Sequence, residues 1–107
     1  MAHFHQTNNI PVNEILPGFA GRFIHTPELT IGHFRIKAGS ILPEHHHPQE
    51  QISNLISGRF EMTVNGETQV CEAGGVVTIP SNAVHSGRAL TDCYIIDVFR
   101  PARDDYK

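Results

Sequence analysis

Between dense glycine and proline breaks, the chain carries short runs rich in Val, Ile, Phe and Thr, at 20–26, 29–37, 51–57, 59–65, 67–73, 76–80, 84–90 and 93–99. Several alternate with period two: Phe60, Met62 and Val64 fall on one face, Glu61 and Thr63 on the other. That alternation is the signature of half-buried strands, and no long helical pattern survives between the breaks. Short strands at regular spacing predict an antiparallel all-β sandwich or small barrel. Asn65-Gly66 predicts a hairpin, because both residues tolerate positive φ. A strict two-residue turn there pairs Val64 with Glu67 and Met62 with Gln69, which mixes polar and apolar residues on one face. The pattern therefore leaves that register open. The first 15 residues are polar and irregular, an arm or edge strand. Residues 20–100 hold the strands, and 101–107 read as a tail leaving the sheet after Pro101. One domain accounts for all 107 residues.

Composition narrows the function classes. Hydrophobic residues make up 39% and charged residues 18%, a globular balance. The net charge is −3 and the cations are scattered singly, so nucleic acid is not an expected partner. No apolar run approaches the ~20 residues of a membrane span. The N-terminus lacks a basic region followed by an apolar one, so a cytoplasmic location is expected. Cys71 and Cys93 are then reduced core thiols, since neither has metal-ligand spacing around it. Eight histidines, as many as all Lys and Arg together, point to metal or proton-transfer chemistry.

The informative segment is 39–58, with His45, His46 and His47 in a row, then Glu50 and Gln51. On extended backbone, side chains alternate between faces, so His45 and His47 converge while His46 turns away. Gln51 opens the next strand run and can swing back toward the pair. His85 follows a turn over Pro80–Ala83 in which Asn82 suits a positive-φ position, and it supplies a third imidazole. Three imidazoles and one oxygen suit a divalent transition metal, Zn, Ni, Co, Mn or Fe alike. Taken alone, the run fits an exposed histidine stretch equally well. Glu50, of opposite parity, competes with Gln51 for the fourth position.

Gly39-x5-His45-x-His47-x3-Gln51-x6-Gly58 resembles the first cupin motif, in which a Glu commonly stands where Gln51 is. Gly74-x5-Pro80-x-Asn82-x2-His85 resembles the second, with Asn82 where Gly is usual and Ala89 in place of a common Asn. The fold this resemblance implies is a cupin double-stranded β-helix, a small jelly-roll barrel, in agreement with the strand pattern. Gln51 is neutral, so a bound ion keeps its full +2 charge and binds anions better than a carboxylate site does. Dioxygen-activating cupins usually keep the carboxylate.

A second constellation closes the chain. Asp97 and Phe99 share a strand face with Cys93 and Ile95. An Asp in an apolar strand is costly unless it is paired or functional. Arg103 lies two residues past Pro101, where the chain can fold back over the barrel mouth, and its guanidinium suits carboxylate recognition. The two alternatives are a structural Asp97–Arg103 pair pinning the tail and a solvated Arg103.

With the closing Asp97-Val98-Phe99-Arg100-Pro101-Ala102-Arg103-Asp104-Asp105-Tyr106 run, the chain resembles the pectin-degradation cupins of the KdgF type. That resemblance implies metal ligands His45, His47, Gln51 and His85, and substrate residues Asp97, Phe99 and Arg103. It implies conversion of 4,5-unsaturated uronates, small anionic sugars from pectin or alginate breakdown, to open-chain 5-keto-4-deoxyuronates. The competing expectations are a metal-dependent dioxygenase and a non-catalytic sugar- or effector-binding module. A homodimer is expected, because such barrels expose apolar sheet surface and the N-terminal arm needs a resting place.

Overall fold

The computed structural model describes residues 2–107. Ten strands form two antiparallel sheets: β1 (Asn13–Leu16), β2 (Phe19–His25), β3 (Thr30–Ile36), β4 (Ile41–His45), β5 (Glu50–Ser57), β6 (Phe60–Val64), β7 (Glu67–Cys71), β8 (Val76–Ile79), β9 (His85–Ala89) and β10 (Cys93–Arg100). One sheet runs β1-β2-β3-β10-β5-β8 and the other β4-β9-β6-β7, an all-β jelly roll. No helix among the described residues is long and apolar enough to cross a membrane.

The period-two alternation places the core. Along β10, Cys93, Ile95, Asp97 and Phe99 are buried, while Tyr94, Ile96 and Val98 face outward. Phe34, Leu55, Phe60, Ile79 and Ile95 fill the space between the sheets. Each such side chain contributes roughly 1.5–3 kcal/mol by leaving water. The buried polar residues Thr30, His47, Gln51, Ser53, His85, Asp97 and Arg103 interrupt this filling and mark the site described below. Cys71 and Cys93 are free, half-buried and buried respectively, and burial raises both thiol pKa values.

Two strands escape the hydrophobic pattern. β1 is short, exposed and polar at its start, and it exists by pairing with β2 at the sheet edge. β4 is masked by Pro43 and Glu44 and is irregular in register between Leu42 and His45. The β6–β7 hairpin adopts the strict two-residue turn, with Asn65 at φ 48° and Gly66 at φ 84°, pairing Val64 with Glu67 and Met62 with Gln69. The mixed face is tolerated because β7 is an edge strand whose residues from Glu67 to Val70 are exposed. Residues 101–107 do not leave the barrel. Ala102 and Arg103 are buried, the Arg103 amide donates to Thr30 Oγ1 at 2.8 Å, and a 3-10 turn at Asp104–Tyr106 lays Tyr106 against Phe23.

Two glycines with the same backbone conformation give a stability test. Gly58 (φ 91°) and Gly66 (φ 84°) both lie in the left-handed region. A Cβ on Gly58 would collide with the Asp92 carbonyl oxygen, whereas one on Gly66 meets open space. Gly66→Ala should therefore cost about 1–2 kcal/mol, the conformational penalty alone. Gly58→Ala should cost a further ~1–3 kcal/mol, because the obstructing atom is backbone. Equal losses in urea denaturation would refute this.

Candidate metal centre

The three imidazoles meet at one end of the barrel. His45 closes β4 and pairs directly across to His85, the first residue of β9. His47 sits on the loop into β5, and its carbonyl accepts the Asn82 amide at 2.8 Å. Asn82 takes φ 61° there, as its turn chemistry anticipates. Ring centroids are separated by 4.1 Å for His45–His85, 5.0 Å for His47–His85 and 5.7 Å for His45–His47. One nitrogen from each ring lies within 4.8 Å of the others. His46 is exposed and takes no part.

Hydrogen bonding fixes the tautomers. The Nδ1 atoms of His45, His47 and His85 donate to the carbonyls of Pro43, Gln49 and Ala83 at 2.8, 2.9 and 2.8 Å. Each Nε2 is left as a lone pair, the arrangement that metal-binding histidines adopt. His85 Nε2 is fully buried and has no partner. Gln51 Oε1 lies 3.1 Å from His47 Nε2, so two acceptors face each other. Two donors bound to one cation at ~2.1 Å stand about 3.0–3.4 Å apart. Burial pushes the His85 pKa down to about 4 and lowers that of His47 as well, with charge on Arg103 acting the same way in both. Neutral imidazoles and an orphaned nitrogen are what a divalent ion requires, and the residues fit one. Glu50 faces outward and is exposed; Gln51 is buried beside His47.

The same end carries the second constellation. Asp97 is buried on β10, with Oδ1 lacking any partner. Desolvation raises its pKa to about 6, against the pull of Ser53, Gln51 and the Arg103 charge. Arg103 is buried but does not pair with Asp97. Its Nε and Nη2 donate to Asp105 at 2.9 and 2.8 Å. Its guanidinium lies 4.0 Å from the Tyr106 ring centroid and 4.9 Å from that of Phe99. Burial disfavours its charge, but the Asp105 bonds and nearby Tyr106 outweigh that and hold it protonated. Phe99 in turn sits edge-on to His47 with centroids 5.8 Å apart. A cleft of about 460 Å³, part of it open to solvent, joins His45, His85, Gln51, Asp97, Phe99 and Arg103.

Three residues here went unassigned in the sequence. Ser53 accepts from Gln51 Nε2 at 3.0 Å and stands directly opposite Asp97 on β10. The alternation Gln51–Ser53 on one strand face was the available signal. Asp105 and Tyr106 complete the setting of Arg103. Their presence in the closing run was visible, but not the 3-10 turn that brings them over the mouth.

The solved structures agree with this architecture. An RmlC-like cupin from Shewanella frigidimarina superposes with a TM-score of 0.94 at 26% identity, covering 100% of this chain and 97% of its own. KdgF from a Halomonas species gives 0.93 at 27% identity, with both chains fully covered. The pectin degradation protein KdgF of Dickeya dadantii is 29% identical over 65 residues, 60% of this chain and 59% of that one. Residues 32–99, from within β3 to near the end of β10, match the cupin domain family model, and the chain belongs to the cupin family.

Proposed function

We propose that the protein converts 4,5-unsaturated uronates to open-chain 5-keto-4-deoxyuronates, with His45, His47, His85 and Gln51 as ligands of a divalent metal. The observation that carries this reading is one cleft that joins Asp97, with its unpartnered Oδ1, and the Arg103 cation to His45 and His85 of the three-imidazole cluster. Likeness to KdgF of Halomonas and to the pectin degradation protein of Dickeya supports the substrate class.

The reaction is an isomerisation. The O1 hydroxyl loses its proton as the C1 carbonyl forms, the C1–O5 bond breaks, and a proton arrives at C4 as the C5 enol becomes a ketone. A carboxyl titrating at about 6 takes and returns a proton near neutral pH at little cost, which is the task given to Asp97. A divalent ion, when bound, stabilises negative charge developing on the sugar oxygens. Arg103, held protonated and oriented by Asp105, turns its remaining N–H donors to the C6 carboxylate. Phe99 covers the ring and keeps water out. A lyase-generated unsaturated uronate tests the whole reading. Its double-bond absorbance should decay with protein and metal, and stop with chelator. Metal-loaded protein that leaves the absorbance unchanged refutes it.

Ligand parity is tested by metal content. His45→Ala and His85→Ala should lose the ion, while the exposed His46→Ala keeps it. Retention in the first two, or loss in the third, contradicts the assignment. For the fourth ligand, Gln51→Glu keeps an oxygen donor and adds a negative charge. Metal should be retained while uronate KM rises at least tenfold. Unchanged kinetics would deny the neutral ligand a role.

The proton-transfer and positioning roles separate kinetically. Asp97→Asn preserves shape and should lower kcat by roughly 10²–10⁴ with metal content intact. Arg103→Lys keeps the charge but loses the planar fork, and should raise KM with kcat within a few-fold. Steady-state kinetics decide; Asp97→Asn at near wild-type kcat removes Asp97 from the chemistry.

A further inference from the structure

The Gln49 side chain takes no part in the proposed chemistry, yet this residue touches both halves of the site. Its main-chain carbonyl accepts His47 Nδ1–H at 2.9 Å. Its side-chain Nε2 donates to the Ala102 carbonyl at 3.4 Å. Ala102 immediately precedes Arg103, and both are buried. One residue thus bonds a metal ligand through its backbone and the C-terminal segment through its side chain.

Sheet register explains why a side chain is needed there. β5 and β10 pair as far as Glu50 and Arg100. The next step in that register sets Gln49 against Pro101, which has no N–H to give to a ladder. Main-chain pairing ends, and the Gln49 amide carries the contact one residue further, to Ala102. The rest of the His47 loop is held firmly. The Asn82 amide donates to the His47 carbonyl at 2.8 Å, and Ser81 Oγ donates to the Pro48 carbonyl at 2.6 Å. The link to Ala102 is the soft one. It is longer than the usual range of roughly 2.7–3.2 Å, and Gln49 Oε1 beside it is buried with no partner. A small movement of the loop makes or breaks it.

An ion on the imidazole cluster would act on this joint through His47. A cation on Nε2 draws electron density from the ring and makes Nδ1–H a stronger donor, which tightens the bond to the Gln49 carbonyl. Burial and then the Arg103 charge lower the His47 pKa, so that cation is felt at the ring. Standing alone, it would resist docking beside an ion. It does not stand alone: Nε and Nη2 are bound to Asp105 at 2.9 and 2.8 Å, and the segment meets the ion as a nearly neutral pair.

We propose that Gln49 is a positioning residue that makes the docking of residues 101–107, and so the placement of Arg103, depend on a metal ion at His47. Only the kinetic consequence rests on the uronate reading. By linkage, docking tightens the ion by the same factor as the ion tightens docking.

Hydrogen exchange of the C-terminal peptide, read by mass spectrometry with zinc and with chelator, tests this without turnover. The Arg103 amide, bonded to Thr30 Oγ1, is the reporter. Zinc should slow exchange across residues 102–107 at least about tenfold in the wild-type chain. Gln49→Met keeps the side-chain length but removes both the donor and the unpartnered oxygen, so the metal-free fold should melt no earlier than wild type. Its C-terminal exchange should no longer respond to zinc, and its zinc dissociation constant should rise by the factor lost. Gln49→Asn, a methylene short of Ala102, should lose the zinc response too, and it carries the test if Gln49→Met does not fold. On the unsaturated uronate at saturating zinc, both should raise KM with kcat within a few-fold. A purely structural role would instead lower the melting temperature and leave the zinc response in place. Equal wild-type exchange with zinc and with chelator overturns the coupling. A zinc response that survives in both variants removes Gln49 from it. Zinc-dependent protection in a protein inactive on the uronate supports the coupling and refutes the proposed reaction alone.

Discussion

Three hydrogen bonds from imidazole Nδ1 atoms to backbone carbonyls organise the site, and much of the local structure exists to supply those carbonyls. Each accepting residue lies two positions from its histidine: Pro43 for His45, Gln49 for His47 and Ala83 for His85. Gln49 and Ala83 lie outside the strands, and Pro43 falls in the stretch of β4 that has no regular partner. The register irregularity in β4 between Leu42 and His45 and the positive φ of Asn82 before β9 are the local departures that accompany it. Fixing Nδ1 as the donor leaves Nε2 as a lone pair on every ring, and burial favours the uncharged form of His47 and His85. A barrel with regular strands at this end would give its histidines no reason to converge.

The inner row of β10 shows how the remaining structure accommodates this. Cys93 and Ile95 continue the apolar core, whereas Asp97 and Phe99, one and two alternations further on, belong to the cleft. The same strand face thus changes from core to cleft within two residues. β5 does the same in reverse, from Gln51 and Ser53 to Leu55. Because β5 and β10 are paired neighbours, Ser53 stands directly opposite Asp97. The buried carboxyl and the Gln51–Ser53 hydrogen bond are consequences of register as much as of composition.

Legibility in the sequence followed this logic. Eight strands were readable because a two-residue period survives wherever one face is core. His45 and His47 were readable from the same parity, and His46 turns outward for that reason. β4 was hidden because Pro43, Glu44 and the histidines carry no apolar alternation, and β1 because its edge position buries little. The course of residues 101–107 was invisible for a different reason. Their docking depends on a main-chain bond from Arg103 to Thr30, 73 residues away, and on Tyr106 packing against Phe23, partners far apart in the chain. No local pattern encodes those contacts. The Asp97–Arg103 pair, a natural guess from two opposite charges six residues apart, gives way to Asp105, which the 3-10 turn brings within reach of both guanidinium nitrogens.

The identity of the residue at 51 follows from having two sides to satisfy. Its amide points Oε1 at His47 and Nε2 at Ser53. A carboxylate offers acceptors only, so it serves the imidazole side as a metal ligand but cannot donate to Ser53. Ser53 would then have to turn its hydroxyl proton toward residue 51 and away from Asp97, which stands opposite it. The Asp97 carboxyl would lose the influence of Ser53 that favours its charged form and gain a like charge two residues away on the neighbouring strand. Both changes push a pKa that burial already holds near 6 further up. A neutral amide at this position therefore serves two ends of the cleft at once. It leaves the positive charge of a bound ion undiminished, and it keeps the buried acid within the range where it can exchange a proton near neutral pH.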